Sequence, residues 1–279
     1  MCPSGVACKV YDELASTVHS FYGLQLAELP ALLVMQRFLE RNDIVNQIQS
    51  ADVLIWDEIS MSSLRLLHIV DLLHQKVQKK SLPFGGIQVI LAGDFCQLKP
   101  IQSMLDSGDP MYKWELFGSA FPHRIVLEKI MRQNKSEKNF KHALDILRMG
   151  VCDDETEAYL RGLSRPCVNC EIDLEPPFHI FFKRLPAEVH NAYMLSCLPG
   201  EVLKYEAIDT ERTSILESIA PEVLMLKRGC KVMLLLNIMK SLTNGTLGTF
   251  FDVDQATNTN ESLFVKFPNV RVVSIPRKT

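Results

Sequence analysis

Two apolar runs constrain this chain most. "VLIW", residues 53–56, ends in Asp57-Glu58, and "IQVILAGD", residues 87–94, repeats the pattern and ends in Asp94. Between them Leu64, Leu67, Val70, Leu73 and Val77 recur at helical spacing, with Lys76, Lys79 and Lys80 where cations suit a helix C-terminus. Strand, helix, strand at this spacing reads as a βαβ unit with parallel strands, and continuous apolar runs read as strands covered on both faces. Ser62 is the expected N-cap of the intervening helix and "SLPFGG" its break.

Other segments fill in around this unit. Residues 26–48 read as one or two helices. "RIVLEKIMRQ" reads as a strand entering a loop, and Phe140, Leu144 and Leu147 mark a helix closed by Gly150. "FHIFF" reads as a further strand, followed by a helix with Pro186 at its first position and Val189, Tyr193, Met194 and Leu198 on one face. From Lys231 onward the texture is β, with a turn at Asn244-Gly245.

Bulk properties narrow the function classes. The chain has 279 residues, 47% hydrophobic and 23% charged, with net charge −3. That balance excludes a global basic field, so any nucleic-acid contact must be local. Eight cysteines without repeating spacing fit reduced thiols in an intracellular setting. No apolar stretch reaches the roughly 20 residues needed to cross a bilayer.

A carboxylate pair at a strand end suits nucleotide chemistry: one carboxylate holds Mg²⁺ through water, the other orients the attacking water. Alone, Asp57-Glu58 reads more readily as a strand leaving into an acidic turn. Gln97, just past the second strand, supplies a neutral amide able to report on a γ-phosphate, and Arg132 a guanidinium for phosphate charge. Each has a bland alternative, a loop amide and a surface arginine; their company favours the functional reading.

"CPSGVA", "STVHSFYG", "LIWDEISM", "PFGGIQVILAGDFCQLKP", "RQNKSEKNFKHALDILRMG" and "LKRGCKVMLLLN…LTNGTLG" stand in order along the chain. Together they resemble the Pif-one family of superfamily-one DNA helicases. The resemblance implies an α/β fold of two RecA-like P-loop NTPase domains, the first truncated N-terminally and the second C-terminally, with a small β-rich SH3-like insertion. It places one partial motor domain at 1–134, part of a second at 135–220 and the β-rich module at 221–279. ATP and Mg²⁺ are the implied cofactors. Asp57 becomes the Mg²⁺ carboxylate, Glu58 the catalytic base, Gln97 the γ-phosphate sensor and Arg132 the phosphate-contacting arginine.

The implied partner is single-stranded DNA, with forked or structured DNA as the unwinding substrate, handled 5′ to 3′ by a monomer. Ser4, Gly5, Thr17, His19 and Ser20 match the family's stretch on the DNA backbone, and Asn244 and Gly245 lie at the hairpin of the β module. Phe21 and Tyr22 by themselves read first as core residues, and only the resemblance offers their rings for base stacking. Repair, recombination or telomere maintenance, in nucleus or mitochondrion, is the implied setting. Lys99, Cys96 and Trp56 depart from the family's usual residues, Lys99 in a way that alters the sensor loop.

The chain contains no Gly-Lys pair, hence no G-x-x-x-x-G-K-[ST] loop to cradle phosphates. The expectation is a truncated record, a fragment or a degenerate mobile-element copy that hydrolyses ATP poorly. Two alternatives stand beside it: a non-catalytic DNA- or protein-binding remnant, and a zinc site at Cys167 and Cys170 with Cys152 and His179 near in sequence.

Overall fold

Helix, strand and turn signals in residues 1–169 resolve into one packed unit and residues 170–279 into another. The computed structural model describes residues 1–24, 29–164, 179–207, 221–236, 238–239, 242, 244–254, 262–268 and 270–276.

In the first unit a short helical turn, α1 (Gly5–Cys8), precedes α2 (Val18–Tyr22), α3 (Ala31–Leu39) and α4 (Asn42–Gln49). The βαβ unit follows: β1 (Val53–Trp56), α5 (Leu64–Gln78) and β2 (Gln88–Leu91). The two strands are parallel, with Val53 opposite Gln88 and Trp56 opposite Leu91. Leu54 and Trp56 face a core shared with Leu67, Val70 and Leu73 of α5 and with Phe38, Ile44 and Ile48 of α3 and α4. Val53 and Ile55, on the other face of β1, are about half exposed. The expectation of cover on both faces is thus corrected: the described helices in contact with this core lie on one side, and the strand alternates.

Capping is shifted by one residue from the sequence reading. Ser63, not Ser62, caps α5, its Oγ accepting from Leu66 N at 3.1 Å. Ser62 Oγ instead accepts from Trp56 Nε1 at 3.2 Å, which satisfies the one polar atom of a fully buried indole. After α5, "PFGG" folds back onto the helix. Gly85 has φ +64, and a Cβ there would lie 2.7 Å from the His74 carbonyl oxygen, so the turn requires glycine. Phe84 N donates to buried Asp71 Oδ1 at 2.6 Å.

Beyond β2 come α6 (Phe117–Ala120), α7 (Lys138–Arg148) and α8 (Asp154–Gly162). The segment expected as a strand at 124–133 has no strand hydrogen bonding, and Ile125, Val126 and Leu127 are exposed. Apolar β-branched residues favour a strand only where a neighbour offers a ladder, and the described residues offer none here. Gly150, at φ +73, does end α7 as expected.

The second unit holds α9 (Arg184–Cys197), the antiparallel pair β3 (Leu203–Glu206) and β4 (Val223–Leu226), and an antiparallel meander of β5 (Lys231–Met233), β6 (Leu247–Asp254), β7 (Ser262–Phe267) and β8 (Val270–Pro276). Residues 179–182 form no strand, against expectation, and Pro186 sits third in α9 rather than first. The third position tolerates proline because the first helical N–H groups have no intrahelical partner. Lys227 Nζ donates to the Leu198 carbonyl at 2.8 Å, beside the end of α9. Asn244-Gly245 forms a turn as read, on the return limb of the loop from β5 to β6, where Gly245 N donates to Leu234 O at 2.7 Å.

Candidate nucleotide-handling site

Adjacent parallel strands deliver their C-terminal residues to one edge. The β1–β2 hydrogen bonding continues past both strands: Ala92 N donates to Trp56 O at 2.8 Å and Ile59 N to Ala92 O at 3.1 Å. Asp57-Glu58 and Gly93-Asp94 are therefore held side by side. Gly93 allows this approach, since a Cβ on it would lie 2.8 Å from Ile59 N.

Asp57 is half-buried, and each of its carboxylate oxygens accepts one hydrogen bond. Its N–H donates to Met1 O at 2.8 Å, its Oδ1 accepts from Glu58 N at 2.8 Å, and its Oδ2 accepts from Tyr11 Oη at 2.5 Å. That hydrogen bond pushes the Tyr11 phenol up to about 12, because losing its proton would set two anions together. Glu58 has φ 53 and ψ 43, the left-handed region that a residue with a Cβ rarely adopts. Such strain concentrates at functional positions, because only the surrounding structure sustains it.

On the neighbouring strand Asp94 organises the loop that carries Gln97. Asp94 Oδ1 accepts from Cys96 N at 3.0 Å, its carbonyl from Gln97 N at 2.9 Å, and its Oδ2 from Gln97 Nε2 at 3.4 Å. From α7, Arg148 donates Nε to Oδ2 at 2.5 Å and Nη2 to Oδ1 at 2.9 Å. The Arg148 guanidinium, aided by the loop N–H groups, draws the Asp94 carboxyl down to about 2. Gln97 and Lys99 remain exposed.

The other expected residues are distributed as follows. Arg132 lies exposed in the bend before α7 and takes no part in the hydrogen bonds of Asp57, Glu58 or Asp94. Ser4 Oγ accepts from Ala7 N at 3.3 Å and precedes Gly5 at the start of α1; Thr17 Oγ1 accepts from Ser20 N at 3.1 Å and caps α2. These hydroxyls already serve helix starts, yet Ser20 stays exposed. His19 is half-buried, and burial lowers its proton affinity. Tyr22 is core, its hydroxyl 2.8 Å from His74 Nε2, and Phe21 packs edge-on against it. Asn244 and Gly245 belong to the second unit.

Cys167 and Cys170 lie outside the described residues. Among the described residues no group of three or more His, Cys, Asp or Glu side chains is arranged to hold a metal, and no helix is long and apolar enough to cross a membrane. Three site residues escaped the sequence reading: Tyr11, Asp94 and Arg148. Asp94 carried a local signal, an Asp followed by a turn whose N–H groups it can accept. Tyr11 and Arg148 act across 46 and 54 residues of sequence, where local pattern says nothing.

Oxygen donors at two adjacent parallel strand ends suit a hard divalent cation held through water, and an amide loop beside them suits a phosphate oxygen. The strand, helix, strand arrangement is that of a RecA-like α/β fold. The comparisons carry the assignment further. A model of the family described as PIF1-like helicase matches residues 1–158, and the chain belongs to that family. It is 32% identical over 262 residues to the ATP-dependent DNA helicase PIF1 of Saccharomyces cerevisiae, covering 87% of this chain and 30% of that protein. The crystal structure of the Pif1 helicase from Candida albicans matches with a TM-score of 0.81 at 26% identity, over 99% of this chain and 66% of that one. A Bacteroides Pif1 bound to single-stranded DNA matches with a TM-score of 0.73 at 25% identity, over 98% of this chain and 63% of that one. The chain thus spans less than a third of the yeast relative and under two thirds of these solved structures.

Proposed function

We propose that this chain is the motor portion of an ATP-dependent DNA helicase that moves 5′ to 3′ along single-stranded DNA and opens forked or structured DNA. The observation that carries the reading is the hydrogen bond from Ile59 N to Ala92 O, which sets the carboxylate pair beside the Asp94–Gln97 loop. Family membership supports the same reading, as does the similarity to the yeast ATP-dependent DNA helicase PIF1. The implied setting is maintenance of nuclear or mitochondrial DNA, through repair, recombination or telomere processing.

In this reading Asp57, oriented by Tyr11 and by the Glu58 N–H, would hold Mg²⁺. Bound Mg²⁺ would neutralise phosphate charge. Glu58 takes a proton from the attacking water, its backbone held left-handed so that the side chain leaves the strand end. Gln97 senses the terminal phosphate, and Arg132 meets its charge. Ser4, Gly5, Thr17, His19 and Ser20, with Asn244 and Gly245 in the β module, contact the strand. Residues 1–134 and 135–220 derive from successive motor domains, with the β-rich module at 221–279.

Without a Gly-Lys loop the chain by itself hydrolyses ATP poorly, since Asp57 and Glu58 act only on a triphosphate held in place. A second reading is a non-catalytic DNA- or protein-binding remnant of such a helicase. Three measurements on the purified chain test these readings. Single-stranded DNA binding followed by anisotropy is expected, and its absence contradicts the helicase reading. DNA-stimulated phosphate release is expected near background, and a robust rate abolished by Glu58→Gln overturns the assignment of poor hydrolysis. Binding of Mg²⁺-ATP without turnover supports the motor; no nucleotide binding at all supports the remnant.

A further inference from the structure

We propose that Tyr11 is a latch on the carboxylate pair: its hydroxyl holds the Asp57 oxygen that a hydrated divalent cation needs, and it is released when that cation binds. The inference rests on the metal role read for Asp57 above and adds to it a contact that regulates the site. Residues 3–16 form an excursion that is closed at its base. Cys2 N donates to Ser16 O at 3.2 Å and Val18 N to Cys2 O at 3.0 Å, while Asp57 N donates to Met1 O at 2.8 Å. Residues 1–2 are thus laddered between the lead into α2 and the end of β1. Tyr11 lies in the 3₁₀ segment Lys9–Leu14 of the excursion and reaches back to the same strand end, Oη donating to Asp57 Oδ2 at 2.5 Å.

Glu58 is also near enough for its charge to act on the phenol. A neutral O–H therefore points into the field of two carboxylates, a place that favours positive charge. Mg²⁺ keeps several of its waters, and a water of that shell would donate to a carboxylate oxygen as the Tyr11 hydroxyl does now. The two donors compete for Asp57. Little in the segment's own packing resists release: Val10 and Leu14 are 80% and 95% exposed, Tyr11 is 42% exposed, and no side chain caps the segment's start. Segments that bury so little apolar surface open at small cost. Thr17, His19 and Ser20, the residues proposed to meet the DNA strand, follow within a few positions, so the latch joins the carboxylate pair to the lead into α2.

The test uses the full chain and the metal alone. Mn²⁺ affinity is read from paramagnetic broadening of the Asp57 and Glu58 amides in the wild type, Tyr11→Phe and Asp57→Asn. Phenylalanine keeps the ring and removes only the hydroxyl. With a hydrogen bond to a charged group no longer competing, Tyr11→Phe should bind Mn²⁺ roughly 10-fold more tightly than the wild type. Saturating Mg²⁺ should move the wild-type Tyr11 Cζ signal toward that of a free phenol and speed amide exchange across residues 10–14. Equal or weaker Mn²⁺ binding by Tyr11→Phe, where Asp57→Asn still abolishes binding, overturns the latch and leaves the metal role of Asp57 standing. A Tyr11 signal and exchange rates that stay unmoved at saturating Mg²⁺ overturn it too. Binding by neither the wild type nor Tyr11→Phe, or binding indifferent to Asp57→Asn, overturns both the latch and the metal role.

Discussion

Arg148 on α7 clamps Asp94 beyond the end of β2 with two hydrogen bonds, and Asp94 in turn holds the N–H groups of the loop bearing Gln97. The helix that follows Arg132 is thereby tied directly to the proposed sensor loop. Asp94 titrates near about 2 when folded, against 3.8 ordinarily. Its folded value is depressed, so its stabilising contribution is complete above about pH 4 and is lost as pH falls through 2. The stability difference between the wild type and Arg148→Ala should be present at neutral pH and disappear by about pH 2, followed by urea unfolding across that range. Amide exchange at Cys96 and Gln97 should accelerate in the variant. A difference that persists unchanged at pH 2 contradicts the pairing.

His74 gives a second pH window. It is fully buried against Tyr22, and burial lowers its value from 6.5 to about 4. The folded state disfavours the proton, so stability is complete above pH 6.5 and falls as pH drops from 6.5 toward 4. The depression corresponds to a contribution on the order of 3 kcal/mol. Replacing His74 with Gln should flatten the stability curve between pH 6.5 and 4 while leaving the Asp94 window in place. A variant curve parallel to the wild type would show that His74 is already protonated in the native protein.

Backbone strain at Glu58 predicts an unusual substitution pattern. Glycine adopts φ 53 without penalty, which offsets the greater freedom it adds to the unfolded chain. Glu58→Gly should unfold within about 1 kcal/mol of the wild type. Glu58→Val, β-branched and poorly suited to this region, should cost about 1–3 kcal/mol. Equal stability of the valine and wild-type proteins in urea would contradict the left-handed backbone.

The contrast between what the sequence disclosed and what it hid has a physical pattern. β1, α5 and β2 were legible because each is set by periodicity over its own length, and their parallel pairing followed from the intervening helix. The meander from Lys231 was legible for a similar reason, through strand runs and a turn dipeptide. Strands expected at 124–133 and 179–182 did not form, because a strand exists only with a hydrogen-bonding neighbour, which apolar composition cannot supply. The Ser62-to-Ser63 shift turned on which hydroxyl the Trp56 indole claims, a tertiary matter. Within the site, Asp57 and Glu58 stood out as charge at the end of an apolar run. Tyr11 and Arg148 are distant in sequence from the carboxylates they hold, and only the folded chain joins them.

The central claim, that the ends of β1 and β2 border one nucleotide site, is tested most directly by paramagnetic broadening of backbone amide signals on adding Mn²⁺-ATP, Mn²⁺ standing in for Mg²⁺. Millimolar ligand makes the measurement sensitive to weak binding. Selective broadening at Asp57, Glu58 and Ile59 together with Asp94 through Gln97, lost in Asp57→Asn, is the predicted result. Broadening confined to one strand end, or seen only elsewhere in the chain, would contradict it.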